Sequence, residues 1–482
     1  MTKRITEDKW ILYRHTNNFN LIIQMAVNLK THAASISKED RKQLLLELKN
    51  QGFYDGRNPE MPLDAISHRI NTLEFFMFGY KHKIGRNKKF MFNPLGNLFL
   101  KNLNNKNKIS KIFLTMLWGS QYPNSQGTDR KIQIYPWRLI FKLLHDERLK
   151  NKLFSFEEAY YVPFVKTINE KTYEELVKNI LNLRKLSNEE IEKMFKKREH
   201  VLVNANYEWD YYLCKIFESA GIIEKEIGET ICTLNQGASK TSRKLRRNVV
   251  KMNPNVESLY SKLEENYPFL ETPLLLSDPQ KLQTDIIRDI HNFYPKELLE
   301  EIGETIDDRK TKLLNMAKLI KKYSENHDGE EWDKFEEILE FGFNSFYNVK
   351  AHGIGGAGNT DIECEYITEK KKFAVEGKST KNKLKDLNAG RLGQHRRLVG
   401  AKYTIVITPR YVPSIKYDIE DSDIVIILAS TFSEYLYNHF DNDVREIDYM
   451  DFDKIIIDNL GTDVSTKIAE LTLNKFASIT SE

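Results

Sequence analysis

Two acidic residues and a lysine in the C-terminal third of the chain have the types and spacing required for phosphodiester chemistry. Asp361 is followed, after fourteen residues, by Glu376-Gly377-Lys378. Segments 361–367 and 373–377 are predicted to be short strands joined by a polar turn at 368–372. Because side chains alternate along a strand, this hairpin places Asp361 opposite 376–378, with Glu376 and Lys378 on one face. Mg²⁺ prefers carboxylate oxygens, and phosphodiester hydrolysis needs a metal, a water and a positive group, so the pattern indicates a nuclease.

The same spacing has a simpler alternative. A chain with 69 acidic and 73 basic residues produces such a pattern by chance, and the segment would then be a charged, solvated hairpin. The neighbouring sequence favours the functional interpretation. Residues 331–341 have apolar side chains at helical spacing, and residues 403–409 and 423–428 are β-branched runs typical of buried strands. With a crossover helix predicted at 385–399, the order is helix, three strands, helix, two strands, as in an α/β domain.

These motifs resemble those of a known nuclease core. Glu340-Phe341, Phe346-Tyr347, Gly353-Ile354-Gly355-Gly356, Asp361 and Glu376-Gly377-Lys378 are similar to the PD-(D/E)xK core. The resemblance is greatest to the cleavage domains of type IIS restriction endonucleases of the FokI and AlwI kind, over about residues 330–430. Thr360 stands where that family often has proline. This departure lies outside the chemistry and leaves the predicted role of Asp361 unchanged.

The resemblance implies a set of site residues. Asp361 and Glu376 would hold Mg²⁺, with the carbonyl of Gly377 as a further oxygen ligand. Lys378 would orient or help deprotonate the attacking water and stabilise the transition state. Glu340 would add a carboxylate from the preceding helix, and Gln394 resembles the glutamine found near the scissile phosphate.

Composition describes a globular chain of 482 residues with 40% hydrophobic and 29% charged residues. No apolar run approaches eighteen residues and the N-terminus has no apolar signal core, so we expect a cytoplasmic protein without a membrane segment. Three widely separated cysteines indicate neither a zinc site nor a disulfide framework. The chain has no P-loop, kinase or helicase motif, so we expect no dependence on ATP.

Positive charge is concentrated in two windows, although the net charge is only +4. Residues 75–128 and 230–256 contain no acidic residue, and clustering of this kind is typical of a nucleic-acid contact. The alternatives are a solvated face and a bias towards lysine and asparagine codons. We predict that the following residues contact double-stranded DNA: Lys81, Lys83, Arg86, Lys88, Lys89, Lys240, Arg243, Lys244, Arg246 and Arg247.

Each basic window adjoins a predicted helix that ends at glycine and is followed by two strands. The first helix spans 61–78 and the second 207–220, the latter followed by strands IIEKEI and TICTL around Gly228-Glu229. Helix, glycine and hairpin form the last part of a winged helix, so we predict two such DNA-recognition modules.

The predicted architecture is therefore a multidomain chain, mainly α in its N-terminal part, with a C-terminal α/β PD-(D/E)xK domain. The expected segments are recognition modules at 1–150 and 151–275, a helical connector at 276–328 and a nuclease domain at 329–482.

We predict a type IIS-like restriction endonuclease that cuts DNA near a short asymmetric site. A single Asp–Glu–Lys set hydrolyses one phosphodiester at a time, so a transient homodimer on DNA is expected for double-strand cleavage. The alternatives are another PD-(D/E)xK nuclease acting in nicking, repair or transposition, and a non-catalytic winged-helix regulator.

Overall fold

A computed structural model describes residues 9–10, 16–32, 37–53, 62–84, 87–125, 131–235, 242–277, 283–304, 308–354, 356, 358–442, 444 and 446–476. The chain forms two compact units. The first comprises residues 1–82, 90–278 and 283–305, and the second comprises residues 83–89, 279–282 and 306–482. In the described part of the chain, no helix has the length and apolarity needed to cross a membrane.

Helices dominate the described part of the chain. They are α1 (Phe19–His32), α2 (Lys38–Asn50), α3 (Pro62–Phe75), α4 (Pro94–Lys101), α5 (Lys106–Gly119), α6 (Pro136–Leu144), α7 (Ser155–Tyr160), α8 (Glu170–Arg184), α9 (Asn188–Lys197), α10 (Glu199–Asn206), α11 (Cys214–Ser219), α12 (Glu257–Asn266), α13 (Gln283–His291), α14 (Lys296–Ile302), α15 (Asp308–Glu325), α16 (Trp332–Asn344), α17 (Ala389–Leu398), α18 (Ile415–Ile419), α19 (Ala429–Asp441), α20 (Met450–Ile457) and α21 (Ser465–Phe476). A π-helix (Tyr207–Leu213) joins α10 to α11, and short 3-10 helices occur at Glu147–Leu149, Val162–Phe164 and Pro254–Val256.

The strands are β1 (Gly79–Ile84), β2 (Asn87–Phe92), β3 (Leu153–Phe154), β4 (Ile223–Glu226), β5 (Thr230–Asn235), β6 (Ser242–Arg246), β7 (Val249–Met252), β8 (Val349–Gly353), β9 (Ile362–Tyr366), β10 (Lys371–Gly377), β11 (Thr404–Thr408) and β12 (Ile424–Leu428). They form a five-stranded sheet in the second unit and three smaller sheets, β1–β2, β3–β7–β4 and β5–β6.

The first unit is held together by a helical core rich in aromatic side chains. Helices α5 and α6 are buried along most of their length, as expected for helices at the centre of a large core. Trp118 stacks on Phe141, and Trp137 meets Phe217 edge to face. A smaller core lies beneath β5 and β6, where Leu234 and Leu245 pack with side chains of α7, α8, α9 and α10. The predicted mainly α N-terminal part agrees with this architecture.

The two predicted helix–hairpin joints have different outcomes. Helix α3 is followed by β1 and β2, which form a two-stranded sheet as predicted. The predicted pairing of β4 with β5 is wrong, because β4 pairs with β7 and β5 pairs with β6. Strands β4 and β5 are successive parts of one arm, and β6 and β7 form the returning arm.

Gly228 explains why the second hairpin differs from the prediction. The sequence indicated a turn at this glycine, whereas its main chain passes close to the returning arm. A Cβ atom at Gly228 would lie 2.0 Å from the carbonyl oxygen of Arg247, and the N–H of Gly228 donates to Oδ1 of Asn248 at 2.9 Å. The glycine therefore permits close approach between the arms instead of reversing the chain.

The second unit is built on a mixed sheet with strand order β12–β11–β10–β9–β8. Strands β10, β11 and β12 run parallel, and β8, β9 and β10 are antiparallel. One face carries Phe373, Val375 and Ile407, which pack in a core with side chains of α15, α16 and α19–α21. On the other face, Val406 and Ile426 pack with α17 and α18. The predicted order of helices and strands from residue 331 to residue 428 agrees with this unit, except that the short helix α18 between β11 and β12 was not predicted.

The predicted helical connector at 276–328 is divided between the two units. Helices α13 and α14 belong to the first unit, and α15 belongs to the second. Leu314, Ala317 and Ile320 of α15 are part of the apolar core of the second unit, and Ser433 Oγ donates to the carbonyl of Ala317 at 2.6 Å. An amphipathic helix that buries one face in this way is part of a domain and not a free linker.

Candidate active site

The antiparallel pairing of β9 and β10 brings Asp361 beside Glu376. Val375 is the register partner of Ile362. Asp361, which precedes Ile362, therefore faces Glu376, which follows Val375. Oδ2 of Asp361 accepts a hydrogen bond from the N–H of Gly377 at 2.8 Å. Because alternate residues point to opposite faces, both carboxylates lie on the face opposite the buried side chains of Phe373 and Val375.

Asp361 is fixed by main-chain contacts on either side. Its carbonyl oxygen accepts from the N–H of Ile354 at 2.9 Å. The preceding residue, Thr360, is buried, and its hydroxyl donates to the carbonyl of Val375 at 3.0 Å. Thr360 therefore ties the start of β9 to β10 at the position where the resembled family often has proline.

Lys378 and Glu376 form an ion pair at the end of β10. Nζ of Lys378 lies 2.6 Å from Oε1 of Glu376. Glu376 is only 4% exposed, and its second oxygen, Oε2, is buried without a hydrogen-bond partner among the described atoms. A buried carboxylate oxygen with no donor is costly, since it has lost its water without replacement. That oxygen is the natural position for a bound cation.

The acidic environment alters the pKa of Asp361. Burial, followed by the nearby charge of Glu376, raises the pKa of this carboxyl from 3.8 to about 7, while Lys378 acts in the opposite direction. The pKa of Glu336 on α16 is also raised, by burial and then by the charge of Glu376. Close carboxylates that share too little positive charge favour their protonated forms.

Glu336 is an acidic neighbour of Asp361 and Glu376 that the sequence reasoning missed. It interacts electrostatically with Asp361, Glu376 and Lys378, whereas the predicted helix acid was Glu340, one turn later. Glu340 lies beside β8 and β9: a Cβ atom at Gly353 would be 3.0 Å from its Oε2 atom, and its charge acts on the Cys364 thiol. The helical repeat placed acids at both positions on α16, so only the packing of the helix distinguishes them.

The predicted helix after β10 is present as α17, and it carries Gln394. This side chain is exposed, and the structure describes no hydrogen bond between it and the acids. Its neighbour His395 is buried, and Nδ1 of His395 has no described partner. Leu392 of α17 packs with Val406, which is adjacent to Glu376 in the sheet, so α17 covers the sheet face that bears the carboxylates.

The donor set fits a hard divalent cation with few protein ligands. In the described part of the chain, no group of three or more His, Cys, Asp or Glu side chains is arranged to hold a metal. Two carboxylates remain, Asp361 and Glu376, one of them with a buried free oxygen. Mg²⁺ commonly uses one or two carboxylates and keeps several waters, so this pair is compatible with Mg²⁺.

Three lysines of the first basic window are paired with acidic residues of the first unit. Lys81 forms an ion pair with Glu74 at 3.1 Å, Lys108 with Glu304 at 3.2 Å and Lys111 with Glu301 at 2.8 Å. Arg86 and Lys240, and the side chains of Lys83, Lys88 and Lys89, lie outside the described residues.

The second basic window retains free positive charge. Lys244 is exposed on β6, and among the described residues neither Lys244 nor Arg246 has an acidic partner. The Arg243 guanidinium lies over the ring of Tyr207 at 3.7 Å. Arg247 is committed to the protein itself, since it lies 3.4 Å from Glu229 and donates to Oδ1 of Asn188 at 2.9 Å.

Comparisons with known proteins identify similar chains. Residues 5–267 match a family model described as the N-terminal domain of type II restriction endonuclease HgaI. The chain is 45% identical over 477 residues to type II restriction enzyme HgaI of Avibacterium volantium, covering 97% of each chain.

Two solved structures of restriction endonuclease FokI are also similar, at 8% identity. The first covers 94% of this chain and 98% of its own, with a TM-score of 0.28; the second, bound to DNA, covers 95% and 100%, with a TM-score of 0.26. At these scores the likeness carries no argument about the fold.

Proposed function

Because this chain belongs to the family of type II restriction endonucleases that includes HgaI, we propose that it cuts double-stranded DNA at the Asp361–Glu376–Lys378 site. Family membership confirms the prediction of a type II restriction endonuclease. The observation that carries the assignment of the site is the pair of carboxylates held together by the β9–β10 register, with an ammonium at 2.6 Å from one of them. We assign the second unit to the PD-(D/E)xK fold on the same grounds, together with its mixed sheet.

Asp361 and Glu376 would hold Mg²⁺, with the carbonyl oxygen of Gly377 as a further ligand. The support is chemical: two carboxylates, a buried free oxygen on Glu376 and a raised pKa of Asp361 all indicate a site that lacks positive charge. When bound, a divalent ion polarises the scissile phosphate and makes a water more acidic at neutral pH.

The chain's own residues supply the remaining chemistry. The ammonium of Lys378 would stabilise the negative charge that develops on the phosphate and orient the attacking water. Its ion pair with Glu376 holds it at the site before substrate arrives. Glu336 would retain a proton more readily than an ordinary glutamate, because its pKa is raised. Glu336 would therefore be able to exchange a proton with a water at the site.

Recognition would be the task of the first unit, and cleavage that of the second. Of the predicted DNA-contact residues that the structure describes, Arg243, Lys244 and Arg246 have no acidic partner and remain available for DNA. The two helix–hairpin joints differ in their strand pairing, so the recognition surface would be asymmetric and would suit a short asymmetric site. The winged-helix description of these joints stays part of the proposal.

The proposed assembly is a transient dimer formed on DNA. One Asp361–Glu376–Lys378 set can hydrolyse one strand at a time, so a double-strand break requires a second copy or sequential cuts. A small interface between two catalytic units would form only when both are held by DNA.

Digestion of plasmid DNA by site variants tests this proposal. The variants Asp361→Ala and Glu376→Ala should cut at least about 10³-fold more slowly than wild type, and Lys378→Ala should be similarly impaired. DNA binding in EDTA should be unchanged, because these residues lie outside the proposed recognition surface. Glu365→Gln and Lys372→Ala are matched controls, since they alter an exposed acid on β9 and a lysine of β10 paired with Glu363.

Two outcomes would reject specific parts of the assignment. Full cleavage by Asp361→Ala or Glu376→Ala would remove these carboxylates from the site. Cleavage in EDTA would remove the dependence on Mg²⁺. Sequencing of the product ends separates the alternatives: cuts at a fixed distance from a short motif support a type IIS-like enzyme, whereas scattered ends indicate a repair-type or transposition-type nuclease. Complete inactivity of wild type on all duplexes would favour a non-catalytic DNA-binding regulator.

A further inference from the structure

A stack of two tyrosines flanked by two basic residues lies on the first unit. The rings of Tyr207 and Tyr211 are nearly parallel, with centroids 4.8 Å apart and an interplanar angle of 10°. Arg243 lies 3.7 Å from the centre of the Tyr207 ring, and Lys215 lies 4.6 Å from the centre of the Tyr211 ring. We call these four side chains the cation–aromatic column.

The π-helix that carries both tyrosines has acidic residues that are engaged elsewhere. Its two acids are already paired: Glu208 with Lys9, and Asp210 with Lys225 at 2.7 Å. Asp210 also accepts from Asn248 at 2.8 Å. Its tyrosines instead lie beside cations. A π-helical turn is rare and occurs often at functional sites, because it places side chains in a register that an α-helix does not allow.

The basic residues of the column are available for an anionic partner. Within the described ranges, Arg243 and Lys215 have no acidic partner, and Lys215 and Tyr211 are exposed. Lys244 is exposed next to Arg243 on β6. This contrasts with Lys108 and Lys111 of the first basic window, whose charges are balanced by Glu304 and Glu301. The column is therefore a place where unbalanced positive charge is combined with rigid aromatic support.

We infer that the cation–aromatic column binds the phosphate backbone of double-stranded DNA, with Arg243 as the contact and Tyr207 as the residue that positions it. Stacking on a ring fixes the guanidinium plane while leaving donors at its edge, and one of these already donates to the carbonyl of Ser242 at 3.0 Å. The remaining donors match the paired oxygens of a phosphate. Roughly half to two-thirds of protein–DNA hydrogen bonds go to phosphate and sugar, so the phosphate backbone is the expected target of this cluster.

This inference rests on the proposed function but concerns binding alone, so it can be tested without cleavage. The full chain in EDTA would be titrated with two fluorescent duplexes of equal length, one containing the mapped cleavage region and one unrelated. Arg243→Gln should weaken binding of both duplexes by about tenfold. The slope of log K against log salt concentration should become shallower by about 0.9, as expected for the loss of one phosphate contact.

The positioning role of Tyr207 has its own matched pair of variants. Tyr207→Phe keeps the ring and should retain the wild-type affinity and salt slope. Tyr207→Leu removes the stack and should reproduce the shallower slope of Arg243→Gln, although Arg243 is still present. Lys108→Gln is the control for a lysine that is already paired, and it should leave both quantities unchanged.

Three results would overturn the inference. Unchanged affinity and slope in Arg243→Gln would show that the column does not touch DNA. A loss confined to the duplex with the cleavage region would assign Arg243 to base reading and reject the backbone contact. Equal behaviour of Tyr207→Leu and Tyr207→Phe would reject the positioning role. If Tyr207→Leu does not fold, Tyr207→Met, which also removes the ring, replaces it, with the same expected change in slope of about 0.9. Failure of the active-site assignment would instead appear as cleavage by Asp361→Ala with this binding pattern intact.

Discussion

Replacing Asp361 by asparagine should stabilise the metal-free protein at alkaline pH and have a smaller effect at acidic pH. Asparagine keeps an oxygen that can accept from the N–H of Gly377. It removes the ionisable carboxyl of Asp361, whose pKa is raised from 3.8 to about 7 by burial and then by the charges of Glu376 and Glu336. The variant therefore isolates the free-energy cost of the ionised carboxylate in the folded protein.

The direction of this pH dependence follows from proton binding in the folded and unfolded states. Unfolded protein loses the proton of Asp361 near pH 4, and folded protein retains it up to about pH 7. Between these values the unfolded state binds fewer protons, so the stability of wild type falls as pH rises and then levels above pH 7. The pKa difference sets an upper limit of about 4 kcal/mol, and roughly half of that is expected because Asp361 is coupled to Glu376.

The measurement is thermal unfolding of the full chain in EDTA at pH 5 and pH 8. A gain of about 2 kcal/mol for Asp361→Asn at pH 8 corresponds to roughly 4–8 °C in the transition of the second unit. At pH 5, where the unfolded carboxyl is already mostly ionised, the gain should fall to about 0.7 kcal/mol, or roughly 1–3 °C. Adding Mg²⁺ at pH 8 should reduce the advantage, since wild type then gains a cation that the variant binds weakly. Glu365→Gln changes an exposed acid of the same strand and serves as the control.

Two outcomes would refute this reasoning. An equal gain at pH 5 and pH 8 would mean that the variant acts through packing and not through charge. A lower melting temperature at pH 8 would mean that the carboxylate is stabilised by the fold, contrary to its raised pKa.

Three further predictions concern packing, autonomy and stoichiometry. Gly377→Ala should lose about 1–3 kcal/mol of stability and cut more slowly, because the new Cβ would lie 3.1 Å from Leu339 and 3.2 Å from Phe335. The control in the same melting and cleavage assays is Gly393→Ala, whose Cβ would meet only Arg397 at 3.5 Å. Residues 306–482 expressed alone should unfold cooperatively by calorimetry and nick DNA weakly without sequence preference, because this unit has its own core. The absence of a cooperative unfolding transition would contradict this. Cleavage rate should rise more steeply than linearly with enzyme concentration, and strictly first-order dependence with a long-lived nicked plasmid would identify sequential cutting by a monomer.

The sequence by itself determined the local geometry of the site. Asp361 and Glu376 belong to adjacent strands of one hairpin, so a two-residue alternation and a short turn were sufficient to predict that they meet. The buried strands β11 and β12 were likewise evident from uninterrupted β-branched residues, since parallel strands covered on both faces leave that pattern. Family membership through the N-terminal region agrees with the resemblance drawn from these C-terminal motifs.

Only the tertiary structure decided which charges are available. Local patterns treat Glu336 and Glu340 alike, and the packing of α16 selects Glu336 as the neighbour of the site. Arg247 was predicted to contact DNA, and in the structure it pairs with Glu229 and donates to Asn188, 59 residues away in sequence. Ion pairs and strand partners of this kind are set by long-range contacts. Their energies depend on burial and distance in the folded chain and leave no periodic signal in the sequence around either partner.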